Sequence, residues 1–316
     1  MPGTGILIDD RFRRHTTGPG HPEAPSRLAV IQEALTSAGL LKACQPIEAV
    51  PASEIIIQYV HTHQYLTRLD AACRQGYPYI DVPDSAICPE SYEIARLAAG
   101  GVIEAARQIA GGQLKRAFCA VRPPGHHAER DRSMGFCLLN NIAIAACVLK
   151  AEFKLDRLAI VDFDVHHANG TQHTFETDPS VLVISLHGHP NYLYPGSGFE
   201  EEIGIGPGRG YTVNIPFLPG ATDDDYREAF KTRVIPALGR FAPQMMLVCA
   251  GFDAHADDPL GNLALSDEIF GWMTKTLVEL AERHSDGRLL AVLEGGYNHQ
   301  VLARCVPEHV RRLMAA

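Results

Sequence analysis

The sequence predicts an α/β fold built on a parallel sheet with helices on both faces. Two observations carry this. Runs of strand composition at residues 116–121, 158–164, 181–186, 211–216, 245–249 and 289–293 alternate with stretches of helical period. Most of these runs are apolar throughout instead of alternating, the pattern of strands buried on both sides. A third observation places the chemistry. Four runs end abruptly in ionisable residues, and the C-terminal strand ends of an open parallel sheet border its ligand crevice.

In chain order, residues 5–8 read as a short edge strand and 9–27 as a loop punctuated by glycine, proline, His15 and His21. A helix follows over 26–38, stopped by Gly39, and 53–74 reads as helical in two pieces. Residues 77–89, with three prolines, Asp81 and Asp84, form a surface loop. The clearest helix spans 91–110, where Ile94, Ala98, Val102, Ala105 and Ile109 repeat at helical spacing before Gly111-Gly112. Further helices are expected over 139–150, over 222–241 with a kink or break at Pro236, and from a Ser266 cap to about 283. No linker, low-complexity segment or repeat interrupts the pattern, so residues 1–316 read as a single domain.

Composition narrows the function. The 46% hydrophobic content supports a substantial core. No apolar run is long enough to cross a membrane, and the N-terminus shows no basic-then-apolar leader, so a cytoplasmic location is expected. Eight scattered cysteines without a Cys-x-x-Cys pair read as reduced. The net charge of -9 argues against direct nucleic-acid binding, which needs a basic face.

The four polar strand ends carry the reading further. One leads to His126-His127, one to Asp162, Asp164 and His166, one to Asp253 and one to Tyr297. In a parallel sheet all four lie along one edge and can converge. Asp164, His166 and Asp253 can supply three ligands to a divalent cation and leave a position open, the catalytic pattern for zinc. With two carboxylates the site should also tolerate iron(II) or cobalt(II). His126 and His127 are candidates for general base and acid, with Asp162 and Asn169 fixing their tautomers. Tyr297 can donate to a developing oxyanion. Each residue has an ordinary alternative: a surface histidine pair, a helix cap at Asp253, a loop aromatic at Tyr297. Core packing does not explain all four together. By strand parity His167 should face away from the site.

These residues resemble the zinc-dependent histone deacetylase superfamily, which includes acetylpolyamine amidohydrolases. The resemblance runs from His21-Pro22-Glu23 to Tyr297-Asn298, through Arg122 to Glu129, Gly135-Phe136-Cys137, Asp162 to Gln172, Gly251-Phe252-Asp253 and Glu294 to Asn298. The forms around Asn169, Asp253 and Tyr297 are nearest the class II branch. It implies an arginase-like fold with an eight-stranded parallel sheet. By this resemblance Asp164, His166 and Asp253 hold zinc, His126 and His127 are the tandem histidines, and Tyr297 is the catalytic tyrosine. Asn169 stands where class I members carry aspartate, so His127 should be the less basic for it.

The resemblance also implies a substrate tunnel walled by Phe136, beside Gly135, and by Tyr194, where many relatives have phenylalanine. Asp84 or Ser85 would meet the substrate backbone or amine, and Arg27 would line an inner acetate-release cavity. Potassium is implied at Asp162, the Asp164 and His166 carbonyls, Ser185 and the Leu186 carbonyl. A second potassium site would use the carbonyls of Phe175, Asp178, Val181 and Tyr211. Leu260 occupies the position where polyamine-selective relatives carry glutamate, which favours acyl-lysine in a protein or peptide over an acylated polyamine. The alternatives are an acetylpolyamine deacetylase, a two-manganese ureohydrolase and a non-catalytic acyl-lysine binding module. Oligomeric state and acyl-chain preference are left open by these residues.

Overall fold

The computed structural model describes residues 3–315; Met1 and Pro2, where the N-terminal reading begins, and Ala316 lie outside the described residues. Eight strands form one parallel sheet: β1 (Gly3–Ile8), β2 (Gln45–Pro46), β3 (Leu114–Ala120), β4 (Leu158–Asp162), β5 (Val181–Gly188), β6 (Thr212–Phe217), β7 (Met245–Ala250) and β8 (Leu289–Leu293). Their order is β2-β1-β3-β8-β7-β4-β5-β6. The four strands that end in ionisable residues are therefore the four adjacent ones at its centre, β3-β8-β7-β4. β1 is not the edge strand expected; β2 pairs outside it, and two residues including a proline are too short to read as a strand.

Among the described residues eleven α-helices surround the sheet: α1 (Ser26–Ser37), α2 (Leu40–Ala43), α3 (Glu54–Ile57), α4 (His63–Arg74), α5 (Ser91–Ala110), α6 (Asn141–Phe153), α7 (Asn169–Phe175), α8 (Asp223–Ala229), α9 (Ile235–Phe241), α10 (Asp267–His284) and α11 (His299–Met314). α5 and α6 pack together against the sheet, and α1, α10 and α11 form a second group against it. Phe163, just past β4, meets Phe252, Phe270 and His309 edge-on within that second group.

Several expectations shift. The 9–27 loop contains a 3-10 turn at Asp10–Arg14, started by the Asp9 carboxylate accepting from Arg11 N. The helix expected from 139 begins at Asn141, because the Asn140 side chain accepts from Ala143 N and caps it. The helix expected over 222–241 is two helices joined by a π-type turn at Phe230–Val234, and Pro236 falls in the first turn of α9, where its missing N–H is no loss. Three helices, α2, α7 and α11, lie where the sequence pattern predicts none. α11 runs unbroken through Pro307; Val301, Leu302, Cys305, Val306, Val310 and Leu313 bury one face, and Asn298 caps it.

Candidate active site

The expected strand over 158–164 stops at Asp162 for a local reason. Asp162 Oδ1 accepts from Asp164 N, and Asp164 Oδ1 accepts from His166 N, both at 2.9 Å. These side-chain turns replace the sheet ladder, so strand parity does not govern the residues beyond Asp162. His167 does face away, but for another reason. Its ring is held between Ser197 Oγ and Gln172 Oε1, at 2.9 Å each, and packs on His187.

The turns bring Asp164 and His166 against Asp253, which lies just past β7. One ligand atom from each lies within 4.8 Å of the other two, and all three residues are buried. His166 Nδ1 is 3.1 Å from Asp164 Oδ1 and 3.3 Å from Asp253 Oδ2. Ligands about 2.0–2.1 Å from one tetrahedral ion would stand about 3.3 Å apart. Asp253 Oδ2 is buried and, among the described residues, accepts no aligned hydrogen bond, and a Cβ on Gly295 would lie 2.0 Å from it. That glycine leaves the space beside the carboxylates open. The site also attracts positive charge. Burial works to lower the His166 pKa, but Asp164 and Asp253 outweigh it and carry it up to about 10. The donor set, the unpartnered oxygen and the open cradle fit a divalent cation.

The histidine pair stands beside this cluster, with ring centroids 4.0 Å apart. His126 Nδ1 is 3.0 Å from Asp162 Oδ2. Burial opposes its charge, but Asp164 and Asp162 raise its pKa to about 10. His127 Nδ1 is 2.6 Å from Asn169 Oδ1. The Asn169 amide nitrogen donates to Glu129 Oε1 (2.6 Å) and to the His127 carbonyl (3.2 Å), so its oxygen is the atom left to face the imidazole. His127 therefore carries its proton on Nδ1 and presents a free lone pair at Nε2. Burial, with the charges of His126 and His166, holds its pKa well below the ordinary value.

Tyr297 projects from the loop after β8. Burial and the charges of Asp253 and Asp164 hold its phenol protonated, and the Arg27 guanidinium lies 5.1 Å from its ring centroid.

Supports invisible to sequence reasoning hold these groups. Glu294 Oε2 accepts from Gly125 N (2.7 Å) and His126 N (3.1 Å), anchoring the histidine loop to the end of β8. Asp258 Oδ2 accepts from Tyr297 N and Asn298 N. Arg27 donates to the carbonyls of Gly296 and Glu294. Beneath it Glu23 is fully buried between Arg27 and Arg122. Burial alone would raise the Glu23 pKa, but the two guanidiniums pull it down to about 2. Glu23 and Arg122 are 99 residues apart, and nothing local pairs them.

The expected substrate residues divide. Phe136 stands edge-on to Tyr297 at 5.8 Å, and Tyr194 stands perpendicular to His127 at 5.2 Å and close to His166. Phe136 (φ 67°) and Gly135 (φ 56°) are both left-handed, which turns the chain so that Gly135 backs directly onto the His127 ring. The Asp84 charge reaches the Tyr194 phenol. Ser85, by contrast, is fully buried with its hydroxyl on Asp84. A buried, self-satisfied hydroxyl does not meet a substrate, so of the pair only Asp84 stays a candidate. Leu260 is half-buried, its N–H on Asp258 Oδ1.

Fold and site together define a metal-dependent amidohydrolase of the arginase–deacetylase type. Residues 21–313 match the family described as the histone deacetylase domain, and the chain belongs to that family. It is 41% identical over 298 residues to a probable deacetylase of Archaeoglobus fulgidus, covering 93% of this chain and 81% of that protein. It is 42% identical over 286 residues to the histone deacetylase-like amidohydrolase of Pseudomonas aeruginosa, covering 90% of this chain and 75% of that one. It spans only 38% of the Caenorhabditis briggsae histone deacetylase 4 that it matches. The crystal structure of the HDA15 HD domain superposes with a TM-score of 0.95 at 38% identity, covering 99% of this chain and 90% of that one.

Proposed function

We propose that this protein hydrolyses the amide of an acylated lysine side chain, acetyl or a related acyl group. The convergence of Asp164, His166 and Asp253 beside a neutral, correctly oriented His127 carries the reading. Zinc is the expected cation, with iron(II) or cobalt(II) as substitutes. When bound, it supplies Lewis acidity to the amide carbonyl and acidifies water for attack. His127 Nε2 takes the proton of that water and returns it to the departing amine. His126, tied to Asp162, supports the developing charge, and Tyr297 donates to the oxyanion. Phe136 and Tyr194 hold the alkyl stem between them, and Asp84 receives the substrate at the mouth. Leu260 offers no charge to a distant ammonium, which favours acyl-lysine over acylpolyamine.

Potassium is proposed as a structural ion between Asp162, Ser185, Leu186 and the carbonyls of Asp164 and His166. The register pairing Asp162 with Ser185 supports this placement. A second ion is proposed at the carbonyls of Phe175, Asp178, Val181 and Tyr211. Eight free thiols support a cytoplasmic, reducing location.

The test is turnover of an acetyl-lysine peptide against N-acetylputrescine on protein of measured metal content, in potassium and in choline chloride. Preferred hydrolysis of the peptide with one divalent ion per chain, faster in potassium, is expected. Preferred hydrolysis of N-acetylputrescine, or two manganese ions with urea release from a guanidino substrate, would replace this reading.

A further inference from the structure

At the edge of the sheet opposite the catalytic groups lies a recess of about 580 Å³. It opens where β4, β5 and β6 begin, below the last turn of α9. Arg157 enters it from just before β4, Arg209 from just before β6, and Arg240 from α9. β4 alone separates this edge from Asp162 by about 16 Å, so the recess is not part of the catalytic pocket.

Three features set it apart from ordinary surface. First, no acidic residue among those described lines it, although the chain carries a net charge of -9. Second, most of the chain's arginines lie against a carboxylate, including Arg107, Arg116, Arg122, Arg233 and Arg304. Arg157, Arg209 and Arg240 have no such partner among the described residues. The Nε of Arg157 donates to the Ala242 carbonyl at 2.9 Å, which caps the end of α9 and leaves its terminal nitrogens free. Third, the wall behind the guanidiniums is apolar, with Leu182 and an edge-to-face pair of Tyr211 and Phe241, centroids 5.8 Å apart.

All three guanidiniums are exposed at the rim of the recess; an anion seated between them would meet three like charges at once, and guanidinium forks match phosphate oxygens two at a time. The size suits a small molecule, and the aromatic wall suits a flat ring beside the phosphates.

We propose that this recess binds a small molecule carrying two or more phosphates next to a planar ring, a nucleoside diphosphate or triphosphate. The test is calorimetric titration of the full chain with ADP, tripolyphosphate and adenosine, in wild type and in Arg209→Gln, Arg240→Gln and Arg283→Gln. Arg283 is also exposed and, among the described residues, without a carboxylate partner, but it lies outside the recess. Saturable ADP binding is expected, weakened about tenfold or more by either recess substitution and not by Arg283→Gln. Unchanged circular dichroism and amide hydrolysis would show each variant folded. ADP binding that survives both recess substitutions, as it would at the catalytic metal, or no saturable binding at all, overturns the site. Tripolyphosphate binding as tightly as ADP overturns the ring-binding part.

Discussion

Asn169 presents its carbonyl oxygen to His127 Nδ1 at 2.6 Å because its amide nitrogen is claimed by Glu129. A neutral partner orients the ring and brings no charge to stabilise its imidazolium, unlike Asp162 beside His126. Replacing that oxygen by a carboxylate should raise the His127 pKa. Asn169→Asp alone would set two carboxylates together, so the informative variant couples it with Glu129→Gln. The acidic limb of the kcat/KM profile should then move up by about one pH unit or more. A limb that stays in place would show that His127 is not the proton acceptor.

Tyr297 is held as a protonated phenol, so in the proposed mechanism its contribution is one hydrogen bond made in the transition state. Tyr297→Phe should lower kcat about 10²–10³-fold with metal content unchanged. Full activity of the metal-loaded variant on an acetyl-lysine peptide would remove Tyr297 from the mechanism.

Gly295 donates its N–H to Asp164 Oδ2 at 2.7 Å, and its missing Cβ is what leaves the carboxylates accessible. Gly295→Ala should weaken metal binding about 10–100-fold, read as metal retained per chain after dialysis against a weak chelator. Wild-type retention would mean that the cation does not sit between Asp164 and Asp253.

Glu23 is the counter-charge for two buried guanidiniums. Glu23→Gln leaves Arg27 and Arg122 uncompensated and should cost about 3–5 kcal/mol of stability at neutral pH. The pH dependence comes from a folded pKa of about 2 against 4.5 for an unperturbed glutamate. The unfolded chain binds this proton first, so the stabilisation is complete above about 4.5 and is lost as pH falls towards 2. Urea unfolding of both proteins at pH 7 and pH 4 should show the gap narrowing at the lower pH. A gap that widens on acidification contradicts the charge assignment.

The buried histidines add a second acid-sensitive contribution. His61 is lowered to about 4 and His309 to about 3, both by burial. Each binds its proton more weakly folded than unfolded, so the stability it contributes is full above about 6.5 and falls below it. His309→Gln should flatten the slope of unfolding free energy between pH 6.5 and 5, measured by urea titration. An unchanged slope would show that His309 does not titrate across unfolding.

By itself the sequence determined the layered α/β class, most strands, and the identity of the groups at the sheet edge. Hydrophobic period and abrupt polarity are local properties that the chain writes directly. It also carried the candidate ligand set Asp164, His166 and Asp253, since one sheet edge gathers the residues at the ends of parallel strands. Tertiary structure decided what depends on distant partners. It ended β4 at Asp162 through side-chain turns, and it turned His167 away by hydrogen bonding instead of by parity. It buried Ser85, paired Glu23 with Arg122, and anchored the histidine loop on Glu294. It also brought Arg157, Arg209 and Arg240 to one recess. Most of these are contacts between segments far apart in the chain, and no local pattern records which partner a buried charge will meet.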